Sequence, residues 1–337
     1  MSLQACAEVD YYLHLARGQG RITFDRRSLR DVLVDPETSI EVVRGLQLIE
    51  EVRAFAGETI GLDASASNFN DYYDTGGDPI AWNVSASPPD RFEAYLWRFP
   101  VVGALPYKGY FNRRGAIAER DRLIDLGYEA LASSVSAYST LGYLSDPVLS
   151  TMLDNSEDRL AELVLHELTH ATVYVEDETD YSESVASFIG KAGSLAFLSQ
   201  RYGPASAQLQ QARSRRANGA AFQAFLRDVT AQLDSLYESD SPRAEIMEER
   251  QHLFTASKQT YLERRGELGE GRYDGFLDWE LNNARLLSYR RYHSHFDRFD
   301  AVLERQGGDL ATTLQVFVHC GAAQNPWKCL DSEGEGL

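Results

Sequence analysis

The chain has 337 residues and carries 51 Asp and Glu against 33 Lys and Arg, a formal net charge of −18. So acidic a surface repels phosphate backbones and anionic lipid, which argues against nucleic acid or an anionic membrane face as partner. No run of 18 or more apolar residues occurs, so no transmembrane segment is predicted, and 43% hydrophobic residues suffice for the core of a large soluble unit.

Residues 7–17 and 37–56 read as amphipathic helices, the second with Ile40, Val43, Leu46, Ile49 and Val52 at mostly three-residue steps. Between about Pro79 and Leu105 the pattern changes to short apolar runs, at 80–84 and 97–104, separated by Pro and Asp; these predict strands of a small sheet. Residues 112–126 return to helix, and 133–141 form the next predicted strand. The fold class is therefore α+β, predominantly helical.

The most informative stretch follows. Ser156 is placed to cap a helix whose first turn holds Glu157 and Asp158, with Leu160, Leu163, Val164 and Ala171 at helical spacing. Within it lies His166-Glu167-Leu168-Thr169-His170. Residues four apart on a helix project from one face, so both imidazoles can share one metal ion, and Glu167 stands beside the metal's water as general base. A polar turn over 176–180 then leads into a second helix carrying Glu183. Two His, one Glu and an open water position make a catalytic zinc set, with one Zn²⁺ per chain. Glu183 reaches the metal only if the two helices pack closely and antiparallel, which small residues at Ala186, Ser187, Gly190 and Gly193 permit.

These two segments, H-E-L-T-H and Y-S-E-S-V-A-S-F-I-G at 181–190, resemble the bacterial putative aminopeptidase family of the zincin superfamily. Similar segments lie at 11–19, 81–84, 99–103, 107–111, 137–142 and 146–153, so the likeness covers most of residues 8–200; beyond that it is looser, chiefly around Asn282-Asn283-Ala284. The resemblance implies a zincin-like metallopeptidase with a small sheet and an active-site helix, and a single catalytic unit over 1–337. Its parts would be N-terminal helices and strands at 7–130, an edge strand and metal-binding helices at 131–200, a helical hairpin at 201–266 and C-terminal helices at 267–337. It implies a peptide substrate, metal ligands His166, His170 and Glu183, and Glu167 as base. The strand at 133–141 takes the place where zincins hold substrate by its backbone, with Tyr138 a candidate for the cleft. An aminopeptidase also needs an acidic group for the free α-amine, and none is identified; an endopeptidase and a non-catalytic envelope scaffold are the alternatives.

After Gly203 the chain is helical and charged to about Gly266, with a break at 239–242 that predicts a two-helix hairpin. Phe222, Phe225, Val229, Leu233 and Leu236 would pack it against the body. Residues 279–295 predict a helix with Arg285, Tyr289 and Tyr292 on one face. Tyr289 is the candidate donor to the tetrahedral oxyanion, and His293 and His295 are weaker ones. Cys320 and Cys329, nine apart, form either a short disulfide loop or two free thiols. Finally, Leu3-Gln4-Ala5-Cys6 resembles the end of a bacterial lipoprotein signal, which implies a lipid anchor at Cys6 and a periplasmic or membrane-anchored location.

Overall fold

The computed structural model describes residues 3–64, 68–100, 103–135, 146–176, 178–293 and 296–335. Helix α1 (Leu3–Asp25) runs well beyond the expected 7–17. Gly18 does not end it, because the Phe111 ring lies where a Cβ would stand and packing overrides the low helix propensity of glycine. Strand β1 (Arg27–Ser28), helix α2 (Leu29–Val34) and helix α3 (Ile40–Phe55) follow. Ser28 and Ser39 cap the two helices by accepting from the amides of Asp31 and Val42, which sets the start of α3 three residues later than expected.

Next come β2 (Asp71–Tyr73), β3 (Trp82–Ser87), β4 (Trp97–Phe99), β5 (Gly103–Leu105), β6 (Lys108–Tyr110), α4 (Arg113–Asp125), β7 (Glu129–Ser134) and β8 (Val148–Leu149). They make three small sheets, in the orders β1-β2-β8, β6-β3-β7 and β4-β5. The apolar run at 97–104 is thus two strands of a hairpin rather than one. Strand β7 pairs with β3 from Trp82↔Ser134 to Ser87↔Glu129, so it includes the first two residues of the strand expected at 133–141, and residues 136–141 lie outside the described residues. Tyr138 is outside the described residues. Val84, Ala86, Trp97, Ala116, Leu123 and Ala130 fill a local core between the sheet and α4.

The remaining chain is helical: α5 (Glu157–Thr172), α6 (Thr179–Tyr202), α7 (Ala207–Tyr237), α8 (Arg243–Glu263), α9 (Asn283–His293), α10 (Phe296–Arg305), α11 (Leu310–Gly321) and α12 (Pro326–Glu335). The main core gathers around α3, α5, α6 and α11, through residues such as Ile49, Val164, Val185 and Phe317. Helices α7 and α8 form the expected hairpin, and with α9 they close a second core rich in aromatic rings, including Phe222, Phe225, Phe254 and Phe276. Cys320 and Cys329 are joined in a disulfide that ties α11 to α12.

An ion pair from the half-buried Arg215 to the buried Asp158 locks α7 onto the start of α5. Arg215 donates to both carboxylate oxygens of Asp158, at 3.0 and 2.7 Å, and Ser156 Oγ donates to the same group at 2.7 Å. Ser156 therefore occupies the cap position without accepting from a backbone amide, a correction to its expected role. Burial would raise the Asp158 carboxyl, but Arg215 and Ser156 outweigh it and hold it below the usual range. Its folded pKa thus lies under the unfolded value of about 3.9, so its stabilisation is complete above that value and fades as pH falls through the folded one. Arg215→Met is expected to destabilise the protein by about 3 kcal/mol near neutral pH, because the carboxylate left behind is buried and uncompensated. In urea melts the gap between the two proteins should narrow at about pH 3; an equal gap at both pH values would contradict this.

Candidate metal centre

Helix α5 buries Leu160, Ala161, Val164, Leu165 and Leu168 in the main core and carries His166 and His170 along the adjoining face. The turn that follows is closed by Val175 N donating to Ser182 Oγ at 3.0 Å, and α6 then returns antiparallel along α5. Contacts descend α5 as they climb α6: Glu183 meets His166 and His170, Gly190 meets Glu162 and His166, and Tyr202 donates to Glu157. A Cβ at Gly190 would stand 2.7 Å from the Glu162 carbonyl oxygen and 3.3 Å from His166 Cβ. One at Gly193 would stand 2.9 Å from Leu165 Cδ1. The absent side chains are what let the second helix approach the first.

This approach brings three donor atoms together. His166 Nε2 and His170 Nε2 are 3.2 Å apart, and Glu183 Oε2 lies 3.5 Å from the first and 3.7 Å from the second. Tetrahedral bonds of about 2.0 to 2.1 Å place their ligands about 3.3 Å from one another, so the donors stand at the spacing a zinc ion requires. Among the described residues this is the one group of three His, Cys, Asp or Glu side chains so arranged. His170 and Glu183 are buried, whereas the His166 side chain is 18% exposed, so the cluster opens to solvent on the His166 side.

The electrostatics fit the same purpose. Glu183 Oε2 and Glu167 Oε2 are both buried and find no hydrogen-bond partner among the described residues, an arrangement that is unfavourable unless a cation or water meets them. Burial would raise the Glu183 carboxyl, yet the two imidazoles outweigh it and hold the group far below the carboxylate range. Burial likewise lowers His170, but Glu183 and Glu167 outweigh that and raise it.

A family model described as "Putative aminopeptidase" matches residues 10–325. The chain belongs to this putative aminopeptidase family. Its description points to a peptidase. Neither a curated protein nor a solved structure was found to match.

In this member of the putative aminopeptidase family, Tyr289 of α9 holds its ring 5.4 Å from Trp279 and 6.1 Å from Phe222, and burial pushes its hydroxyl up to about 12. It therefore stays protonated and able to donate at neutral pH. Arg285, one turn earlier, stacks over Trp279 at 5.1 Å and keeps a buried Nε with no partner among the described residues. The side chains of Tyr292 and His293, and all of His295, lie outside the described residues. The start of α9 is anchored by Asn283, whose amide donates to Glu129 Oε2 of β7 at 2.6 Å and whose Nδ2 donates to Pro88 O at 2.9 Å.

Two further charges on α5 itself carried no expectation from the sequence. Arg159 and Glu162 lie seven and four residues before His166, on its own stripe, and that spacing was the available signal. Arg216, which reaches Glu162 at 4.0 Å, comes from α7, and no local pattern connects it to α5.

Proposed function

We propose that the chain is a zinc-dependent peptidase of the zincin type, an aminopeptidase by its family's description. His166, His170 and Glu183 would hold one Zn²⁺, and Glu167 would be the general base. The observation that carries this reading is the spacing of three converging donors beside a buried, unpartnered Glu167 oxygen. Two imidazoles and one carboxylate suit zinc, which when bound there supplies a Lewis acid and brings a water's pKa toward about 7.

The chain's own groups do the proton work. Glu167 takes a proton from the attacking water and returns it to the nitrogen of the leaving amine as the C–N bond breaks. Tyr289 is proposed to donate a hydrogen bond to the oxyanion, consistent with a hydroxyl that stays protonated. Strand β7 lies at the edge of its sheet, where an extended peptide can pair with its backbone. The disulfide suits an oxidising compartment. Among the described residues no helix is long and apolar enough to cross a membrane.

Paired peptides of one sequence, with free and with acetylated N-termini, test the exopeptidase reading. Only the free peptides should be cleaved, with one residue released per turnover; equal cleavage of both would make this an endopeptidase.

A further inference from the structure

Arg159, Glu162 and His166 stand on one stripe of α5. Arg159 Nη1 lies 3.2 Å from Glu162 Oε2, and Arg216 Nη2 comes to 4.0 Å from the same oxygen while donating to Ser194 Oγ at 2.7 Å. Lys191, next to the glycine that touches Glu162 and His166, turns its ammonium over the Phe296 ring at 4.1 Å. It makes no ion pair among the described residues. Arg215 is already engaged by Asp158. Two guanidiniums thus flank the one carboxylate, with the Lys191 ammonium near enough to feel all three charges, a local positive surplus in a chain whose net charge is −18. Burial draws Lys191 down to about 8, Glu162 opposing and both arginines adding to the fall, and burial likewise draws Arg216 down to about 10.

We propose that Arg159, Lys191 and Arg216 form a subsite that takes a carboxylate of the peptide substrate. The inference rests on the peptidase reading above, since it takes the scissile bond to lie at His166. Four to seven residues of helix separate the cluster from His166, about 6 to 10 Å along the axis. An extended peptide covers that distance in about two to three residues. The arginine forks match a carboxylate in shape and charge, and the Arg159 side chain, 54% exposed, leaves a way in. The carboxylate comes either from the C-terminus of a short peptide or from an acidic side chain a few residues from the cleaved bond.

Two matched pairs separate these sources: a tripeptide with a free or an amidated C-terminus, and a longer C-terminally amidated peptide with a free N-terminus and Glu or Gln at one position. Calorimetric binding to Glu167→Gln protein should favour the carboxylate member of one pair by about tenfold, the scale of a charge-assisted hydrogen bond. That pair identifies the source. Lys191→Met, which keeps the stem over Phe296, and Arg159→Gln at the exposed position should each bring the two members toward equal affinity, and Lys191→Arg should restore the preference. Equal binding within both pairs, or a preference that survives both variants, would overturn the subsite. Turnover by the unmodified protein is followed in parallel: if none of the four peptides is cleaved, the peptidase reading fails while the binding ratios still decide the subsite.

Discussion

Glu167→Gln should leave the fold and the bound metal unchanged and lower turnover by at least about a hundredfold, the range of a general base. The substitution is nearly isosteric, and Glu167 is none of the three converging donors, so metal content has no reason to change. What is lost is an acceptor: the buried Oε2, unpartnered among the described residues, is the atom proposed to receive the water's proton. An amide cannot take it. Melting temperature and zinc content are the controls, and a variant that keeps both together with full activity would remove Glu167 from the mechanism.

Glu183→Ala acts on the other half of the site and should weaken zinc binding more than the roughly 10- to 100-fold typical of losing a group that merely supports a ligand. Two histidines 3.2 Å apart would remain, without the anionic donor that completes the set. The effect is also visible in stability. A ligand that binds only the folded state, at a thousand times its dissociation constant, stabilises by about 4 kcal/mol. The wild type should therefore melt higher with added zinc and lower with chelator, and the variant should respond to neither. An identical zinc-dependent shift in both proteins would place the metal elsewhere.

How much of this was legible in the sequence depended on the range of the forces involved. The i, i+4 pair His166 and His170 is a local property of helix geometry, and the helix around it is written in periodic apolar residues; both were readable. Glu183 was readable one step further, because a short turn limits where the second helix can go and Gly190 and Gly193 left room for it. Strands were readable at 80–84 and 97–104, where β3, β4 and β5 fall, but their bounds and pairing were not. β7 begins at Glu129 rather than at 133 because its ladder is set by β3, a partner more than forty residues away that no local pattern announces. Arg215 is 57 residues from Asp158, so no local pattern announces the ion pair that joins α7 to α5. The long α1 shows the same override: a ring from residue 111 decides what Gly18 does.

The central claim is tested most directly by elemental analysis of the purified wild-type protein, before and after exhaustive dialysis against a mild buffer. One zinc per chain, retained through dialysis and removed together with activity by a strong chelator, is the predicted result. Protein that binds no stoichiometric metal when zinc is supplied, or that cleaves peptides equally well without it, would contradict the account.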